Sequence, residues 1–467
     1  MTAVPGLVVA ATASGRGKTS LAVGLMTALT RRGFRVAAFK AGPDFLDPRH
    51  HQAATGRASH NLDSWMLPEA AVRALFARHA ATADMAVVEG VMGLFDGFSG
   101  SDDAGSTARL SKILGLPILL VADARAMGRS AAALVKGFAE FDPGLDFLGV
   151  VFNQVGGEGH REILAQAMRS VPDMPVLGYL PRDPALALPS RHLGLCPPEE
   201  DAGHAAVYAA LADAVETRLD VARLLDNLPL CELPDPAPAP DGPPLVRLGV
   251  ARDAAFGFYY EENLRLLQDA GAGIVPFSPL SDAALPPGLD GLYLGGGYPE
   301  IFAATLSGNA AMRRAVLEFC ASGRPVYAEC GGFMYLMESL TDAAGQTFPM
   351  AGVFPLAAVM GPRFAALGYR EAVTLAPSLL GPAGTTARGH EFHYSRLAAP
   401  PGVPPDGPPG GGPALRTIYA LSGRFGRLDA PEGYALGNVL GSYVHLHFGS
   451  NPDLAPAFTA AMAAAHA

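Results

Sequence analysis

Residues 11–20, ATASGRGKTS, place Gly15, Gly17, Lys18 and Thr19 directly after an apolar run and at the start of a helix-like stretch. Successive backbone N–H groups of Ser14, Gly15, Arg16, Gly17, Lys18 and Thr19 can cradle phosphate oxygens at the positive end of that helix. Lys18 then reaches the outer phosphates, and Thr19 offers its hydroxyl to Mg2+. The general spacing asks for glycine where Thr12 stands, so the strand–loop–helix setting supports the assignment alongside the motif. Two further segments bring charge to strand ends. AAFKAGPDFLDP (37–48) carries Lys40, Asp44 and Asp47, and VVEGVMGLFDG (87–97) carries Glu89 and Asp96. Ligands of an open α/β sheet bind beyond the carboxyl ends of its strands, so these side chains should gather beside the phosphate loop. Carboxylates next to a bound triphosphate are what Mg2+ needs. ATP as substrate and Mg2+ as cofactor are therefore expected, with Thr19, Asp44 and Glu89 as metal ligands and Lys40 and Asp47 in the same reaction centre. Asp96 reads more simply as a turn residue.

A second chemistry sits in the other half. VYAECGGFMYL (326–336) is an apolar strand, then Cys330, then two glycines that open a helix. A sharp strand-to-helix turn exposes a thiol nucleophile, and the helix N-terminus should lower its pKa. GLYLGGGYPE (291–300) puts Gly295, Gly296 and Gly297 at another strand end. Backbone amides of Gly296 and Gly297, with that of Gly331, can form an oxyanion hole and bind an amide substrate. GSYVHLHFGS (441–450) supplies His445 as general base. The group that orients His445 stays open: His447 can hydrogen-bond to it, whereas Glu329, next to Cys330, should point to the opposite strand face. His390 and His393 have a metal-compatible spacing without a third ligand nearby and are expected on a loop between the domains. His50 and His51 read equally as surface or substrate-contacting residues.

Two sets of elements must position these groups. The runs 6–11, 35–39, 85–90, 117–123, 148–153 and 175–184 read as buried strands, with crossover helices such as 19–32 and 104–114. Near-continuous apolar strands alternating with helices give an α/β fold with a doubly wound parallel sheet. ELPDPAPAPDGPPL (232–245) is too rich in proline to pack a core and reads as a stiff linker. Strand–helix alternation resumes at 245–252, 273–277, 291–296 and 324–329. The expected organisation is a phosphate-loop synthetase domain over 1–231, a linker over 232–244 and a second α/β domain over 245–467. Another Pro/Gly tract, 399–414, reads as an exposed loop. The 467 residues are 49% hydrophobic and only 17% charged, with a net charge of −10, which disfavours nucleic acid and anionic membranes as partners. Four scattered cysteines without a C-x-x-C pair argue against zinc and disulfides and for a reducing cytoplasm.

The phosphate loop resembles the dethiobiotin synthetase branch of P-loop ATPases. The segments around Lys40 and Glu89, with RHLGL (191–195), are similar to the cobyrinic acid a,c-diamide synthase family of corrinoid biosynthesis. The Cys330–His445 half resembles a class I (triad) glutamine amidotransferase, without the acid that normally lies two residues after the histidine; the corrinoid amidases share that absence. The resemblance implies that Cys330 releases ammonia from glutamine while ATP activates corrin a- and c-acetate carboxylates for amidation. It also implies a protected ammonia path between domains. The implied partners are a corrinoid acid, ATP and glutamine, with a homodimer left open. The GC-rich composition leans toward metal-free hydrogenobyrinic acid over cobyrinic acid. The alternatives are a cobyric acid synthase-like amidase of other side chains and a MinD/ParA-like ATPase switch with a non-catalytic second domain. The loop after Lys40 argues against the first, and measured ammonia release separates the second.

Overall fold

A computed structural model describes residues 2–191, 194–198, 203–233, 242–398 and 414–465, and the chain divides into two compact units, Met1–Ala237 and Pro238–Ala467. RHLGL lies partly outside the described residues, as do most of the Pro-rich linker and nearly all of the 399–414 tract.

The first unit is built on strands β1 (Thr2–Ala11), β2 (Val36–Ala41), β3 (His60–Leu62), β4 (Met85–Glu89), β5 (Ile118–Asp123), β6 (Phe147–Val155) and β7 (Val176–Pro181). They pair in parallel in the order β3-β2-β4-β1-β5-β6-β7. β2, β4 and β5 are buried along their whole length, which is why they read as unbroken apolar runs. Helix α1 (Lys18–Arg31) follows β1 through the phosphate loop, and its apolar face, including Leu21, Leu25 and Leu29, packs with Leu7 and Val9 of β1. Helix α2 (Asp47–Thr55) begins at Asp47, and Pro48 at its first turn suits that start. The linker begins later than expected. Residues Leu230–Leu233 form a strand antiparallel to the beginning of β1, with Glu232 opposite Ala3, because the first residues of β1 extend beyond its parallel partners and leave an edge to be covered.

The second unit holds a ten-stranded sheet. Its first part is parallel, in the order Ala272–Phe277, Val246–Ala251, Gly291–Leu294, Val326–Glu329, Val439–Ser442. It continues antiparallel through Gly426–Leu436, Arg416–Gly423, Ala366–Thr374, Thr386–His393 and His445–Leu446. Sequence reading finds the first four parallel strands and misses Val439–Ser442 and the antiparallel part, where strands such as Ala366–Thr374 are mostly half-buried and show no apolar run. His390 and His393 thus lie on a strand, correcting the expected loop. Among the described residues, no helix is long and apolar enough to cross a membrane.

Candidate active sites

The phosphate loop turns on Gly15 and Gly17, with φ of +70° and +95°. A Cβ on Gly17 would also lie 2.2 Å from the Nδ2 of Asn153, which donates to the Arg16 carbonyl at 2.9 Å. Both conformation and space therefore require glycine there. The Lys18 ammonium donates to the Met92 carbonyl, and burial, then Lys40, draws its pKa down to about 8. Thr19 donates to Oε1 of Glu89 at 2.7 Å. Arg16 turns away to an ion pair with Asp123 at 2.9 Å.

Glu89, at the end of β4, is the hub. The Lys40 ammonium lies 2.9 Å from its Oε1 and pairs with Asp47 at 2.5 Å, while the other oxygen meets His51 Nε2 at 2.7 Å. Burial alone would depress Lys40, but Asp47 and Glu89 outweigh it and keep the ammonium charged. Burial would likewise raise Glu89, yet Lys40 and His51 hold it well below the usual carboxylate range. Asp47 goes the other way, pushed up by burial, Asp44 and Glu89 against the pull of Lys40. Asp44, Asp47 and Glu89 thus share one cavity wall with the buried ammonium groups of Lys18 and Lys40. Asp44 Oδ1 accepts the backbone N–H groups of Leu46 and Asp47 at 2.7 and 3.0 Å, which holds the start of α2. A cavity of ≈ 600 Å³ is lined by Gly15, Lys18, Thr19, Asp44, Asp47 and Glu89. Thr19, Asp44 and Glu89 offer only oxygen donors, two of them carboxylates, and they face open volume, so they fit Mg2+.

Asp96 accepts the Gly93 N–H at 2.9 Å, as a turn residue does. His50 and His51 are buried and not at the surface: His50 meets the Tyr208 hydroxyl at 2.7 Å, and His51 spans Glu89 and Ser59. The contact of His51 with Glu89 was not among the sequence expectations, which left His51 as a surface or substrate-contacting residue. Its signal was available, since Asp47 and His51 share a helix face at i, i+4.

In the second unit, Cys330 links the strand Val326–Glu329 to the short helix Gly331–Leu336. It holds φ 45° and ψ −102°, a strained conformation for a residue with a Cβ and one typical of functional turns. Its N–H donates to the Ser442 carbonyl at 2.7 Å, and the Gly332 N–H to Gly295 at 2.9 Å. The glycine loop packs on this turn: a Cβ on Gly331 would lie 2.9 Å from the Gly297 nitrogen, and one on Gly296 would lie 2.3 Å from Cε1 of His445. The glycine loop thus packs against both the residue after Cys330 and the His445 ring.

The expected low thiol pKa is corrected. Burial, then Glu300, pushes the Cys330 thiol well above its ordinary value, although the Gly331 N–H opposes them. The following helix has six residues, too short a dipole to overcome desolvation. Burial, then His390 and His393, pushes His445 well below its ordinary value. The resting pair is a neutral thiol and a neutral imidazole, which is what general-base activation requires.

His447 does not orient His445. Its Nδ1 accepts the Gly449 N–H at 3.1 Å and its ring packs on Tyr260. Glu329 instead lies 4.0 Å from the Nδ1 of His445. It accepts from Tyr293 at 2.7 Å, Tyr327 at 2.8 Å and the Leu446 N–H at 2.9 Å, and burial pushes its carboxyl up to about 7. The segment His445–Leu446 therefore meets Glu329 beside Tyr293 and Tyr327. His390 stacks on His445 at 5.0 Å and His393 on Tyr443 at 4.0 Å, so each ring is engaged by a different aromatic neighbour. They do not form a metal pair.

A nucleotide-binding family, the CobQ/CobB/MinD/ParA nucleotide binding domain, matches residues 7–195, and the CobB/CobQ-like glutamine amidotransferase domain matches 247–453. The cobyrinate a,c-diamide synthase of Syntrophotalea carbinolica is 47% identical over 97% of this chain and 98% of that protein. The chain belongs to the cobyrinate a,c-diamide synthase family. Proteins of the same name from Dehalococcoides mccartyi and Priestia megaterium are each 41% identical, covering 97% and 96% of this chain and 97% and 95% of their own lengths. Both family domains fit ATP-dependent amidation with glutamine as nitrogen donor, and the protein is a glutamine-dependent, amide-forming ligase.

Proposed function

We propose that this enzyme amidates the a- and c-acetate carboxylates of a corrin acid, with residues 1–231 as synthetase and 245–467 as glutaminase. The observation that carries the reading is full-length identity to cobyrinate a,c-diamide synthases in a chain holding both a phosphate loop and a nucleophile turn. A carboxylate is a poor electrophile, so the γ-phosphoryl group of ATP is transferred to it, leaving ADP and an acyl phosphate. Ammonia then displaces phosphate and leaves the carboxamide. Lys18 supplies positive charge to the transferring phosphoryl group, and the N–H groups of Ser14–Thr19 hold the others. Thr19, Glu89 and Asp44 would hold Mg2+, which when bound offsets phosphate charge. Lys40 keeps Glu89 and Asp47 ordered at the cavity wall, and His51 holds Glu89 from the other side.

In the glutaminase half, the Cys330 sulfur attacks the side-chain amide carbon of glutamine as His445 takes the thiol proton. The N–H groups of Gly297 and Gly331 receive the developing oxyanion. Ammonia leaves with the proton returned by His445, and water hydrolyses the thioester to glutamate. Glu329 orients His445 by fixing the backbone of Leu446 and facing the imidazole. Incubation with ATP, Mg2+, glutamine and each corrin acid, read by mass spectrometry, tests the whole reading. Two carboxyl-to-carboxamide conversions are expected, and a product amidated at other side chains or not at all overturns it. The same experiment compares hydrogenobyrinic with cobyrinic acid; composition leans toward the metal-free form.

A further inference from the structure

Glu300 is a carboxylate beside a thiol that must become a thiolate, and the chemistry above gives it no task. The segment that carries it is tightly placed. Pro299 Cδ lies 3.0 Å from where a Cβ on Gly331 would sit, so the chain packs against the residue that follows Cys330. Tyr298 donates to the Ala255 carbonyl at 3.0 Å, and the Ile301 N–H to Tyr298 at 3.1 Å, which closes a turn around Glu300. The residue is half-buried, yet its Oε2 is buried and meets no hydrogen-bond partner among the described residues. Burial pushes the carboxyl up to about 7, and Glu300 acts on the Cys330 thiol more strongly than Glu329 or Glu391 does.

A buried acceptor without a donor is costly, and a negative charge here opposes thiolate formation. Both penalties vanish if a cation arrives with the substrate. Arg370, whose charge reaches His390, is already paired with Glu391. Glutamine brings its own cation, since two methylenes separate its reacting amide carbon from the α-carbon that carries an ammonium.

We propose that Glu300 binds the α-ammonium of the glutamine substrate. The proposal rests on the reading of Cys330 as the glutaminase nucleophile. Binding would then neutralise the charge that, after burial, most disfavours the thiolate, so the nucleophile becomes easier to ionise when an α-amino acid fills the site.

The test compares L-glutamine with 4-carbamoylbutanoate, which keeps the amide and the carboxylate and lacks the α-ammonium. Ammonia release is measured for the wild type, Glu300→Gln and Glu300→Asp in the full chain. Glu300→Gln is expected to lower kcat/KM for glutamine about 100-fold, within the range for removing one partner of a buried charge pair. It should leave kcat/KM for the deamino analogue unchanged or raised, erasing the discrimination. Glu300→Asp should fall between, and it serves if the Gln variant does not fold. Equal losses on both substrates, or no loss on either, overturn the assignment. A wild type that releases no ammonia from glutamine overturns instead the reading of Cys330 on which the assignment rests.

Discussion

Lys40 and Glu89 are buried and ionised, whereas Cys330 and His445, equally buried, are neutral. The first pair survives burial because each charge has a partner: Glu89 contacts Lys40, His51 and Thr19, and Lys40 contacts Asp47 as well. In the second pair desolvation outweighs the charges nearby: Glu391 favours a charged His445 less than burial, His390 and His393 oppose it, and the proton stays on sulfur. The difference follows the two chemistries. Phosphoryl transfer is catalysed by fixed charge waiting where charge will develop. Amide attack by a thiol needs a proton that moves at the moment of attack.

The sharpest way to break this comparison is to remove one centre and ask whether the other survives. Cys330→Ala should lower glutamine-dependent synthesis by about 10⁴-fold or more while synthesis from high ammonia persists. Lys18→Ala should lower synthesis at least about 10²-fold from either nitrogen source. Measuring amide formation with each donor checks both. Loss of ammonia-dependent synthesis in folded Cys330→Ala would show that the centres are not independent.

Glu89→Gln and Asp44→Asn probe the charged side. Glu89→Gln weakens a buried ion pair and should cost about 3 kcal/mol, the low end for such a loss, because Asp47 still pairs with Lys40. Asp44→Asn keeps the oxygen that accepts from Leu46 and Asp47 and should stay within about 1 kcal/mol while turnover falls. Denaturant unfolding beside kcat separates them. Equal stability in the two variants would mean that Glu89 is not the hub.

Glu329→Gln probes the neutral side. Burial pushes this carboxyl up to about 7, above the 4.5 of an ordinary glutamate, so folding favours its protonated form. The stability it contributes is complete below about pH 4.5 and is lost as pH rises through about 7. Glu329→Gln should therefore flatten the fall in stability between those values, read by thermal melts across pH. Glutaminase activity should drop by about 10²-fold at the low end of acid–base effects and lose its rise near pH 7. A purely structural Glu329 would leave the shape of the activity profile unchanged.

Much of the first unit was legible because its signals are local. An unbroken apolar run marks a strand buried on both faces, and the glycine–lysine–threonine loop needs only its own backbone and the helix it opens. Parallel pairing then brings the ends of β1, β2 and β4 together, so Lys18, Lys40 and Glu89 could be grouped before any contact was known. The same locality made the Cys330 turn and the Gly295–Gly297 loop visible. The antiparallel strands were not legible, since half-exposed residues carry little periodicity.

What the sequence by itself determined is therefore which residue types stand at which strand ends. Tertiary structure alone decided who meets whom and in what charge state. Glu89 meets His51 across 38 positions, and Glu329 meets the Leu446 N–H across 117. The physical reason is that backbone pattern depends on neighbours in the chain, whereas desolvation and pairing depend on what closes over a group in space. A thiol at a helix start looks acidic in sequence. Folded under Glu300 and Tyr443 and out of water, Cys330 keeps its proton until a base removes it.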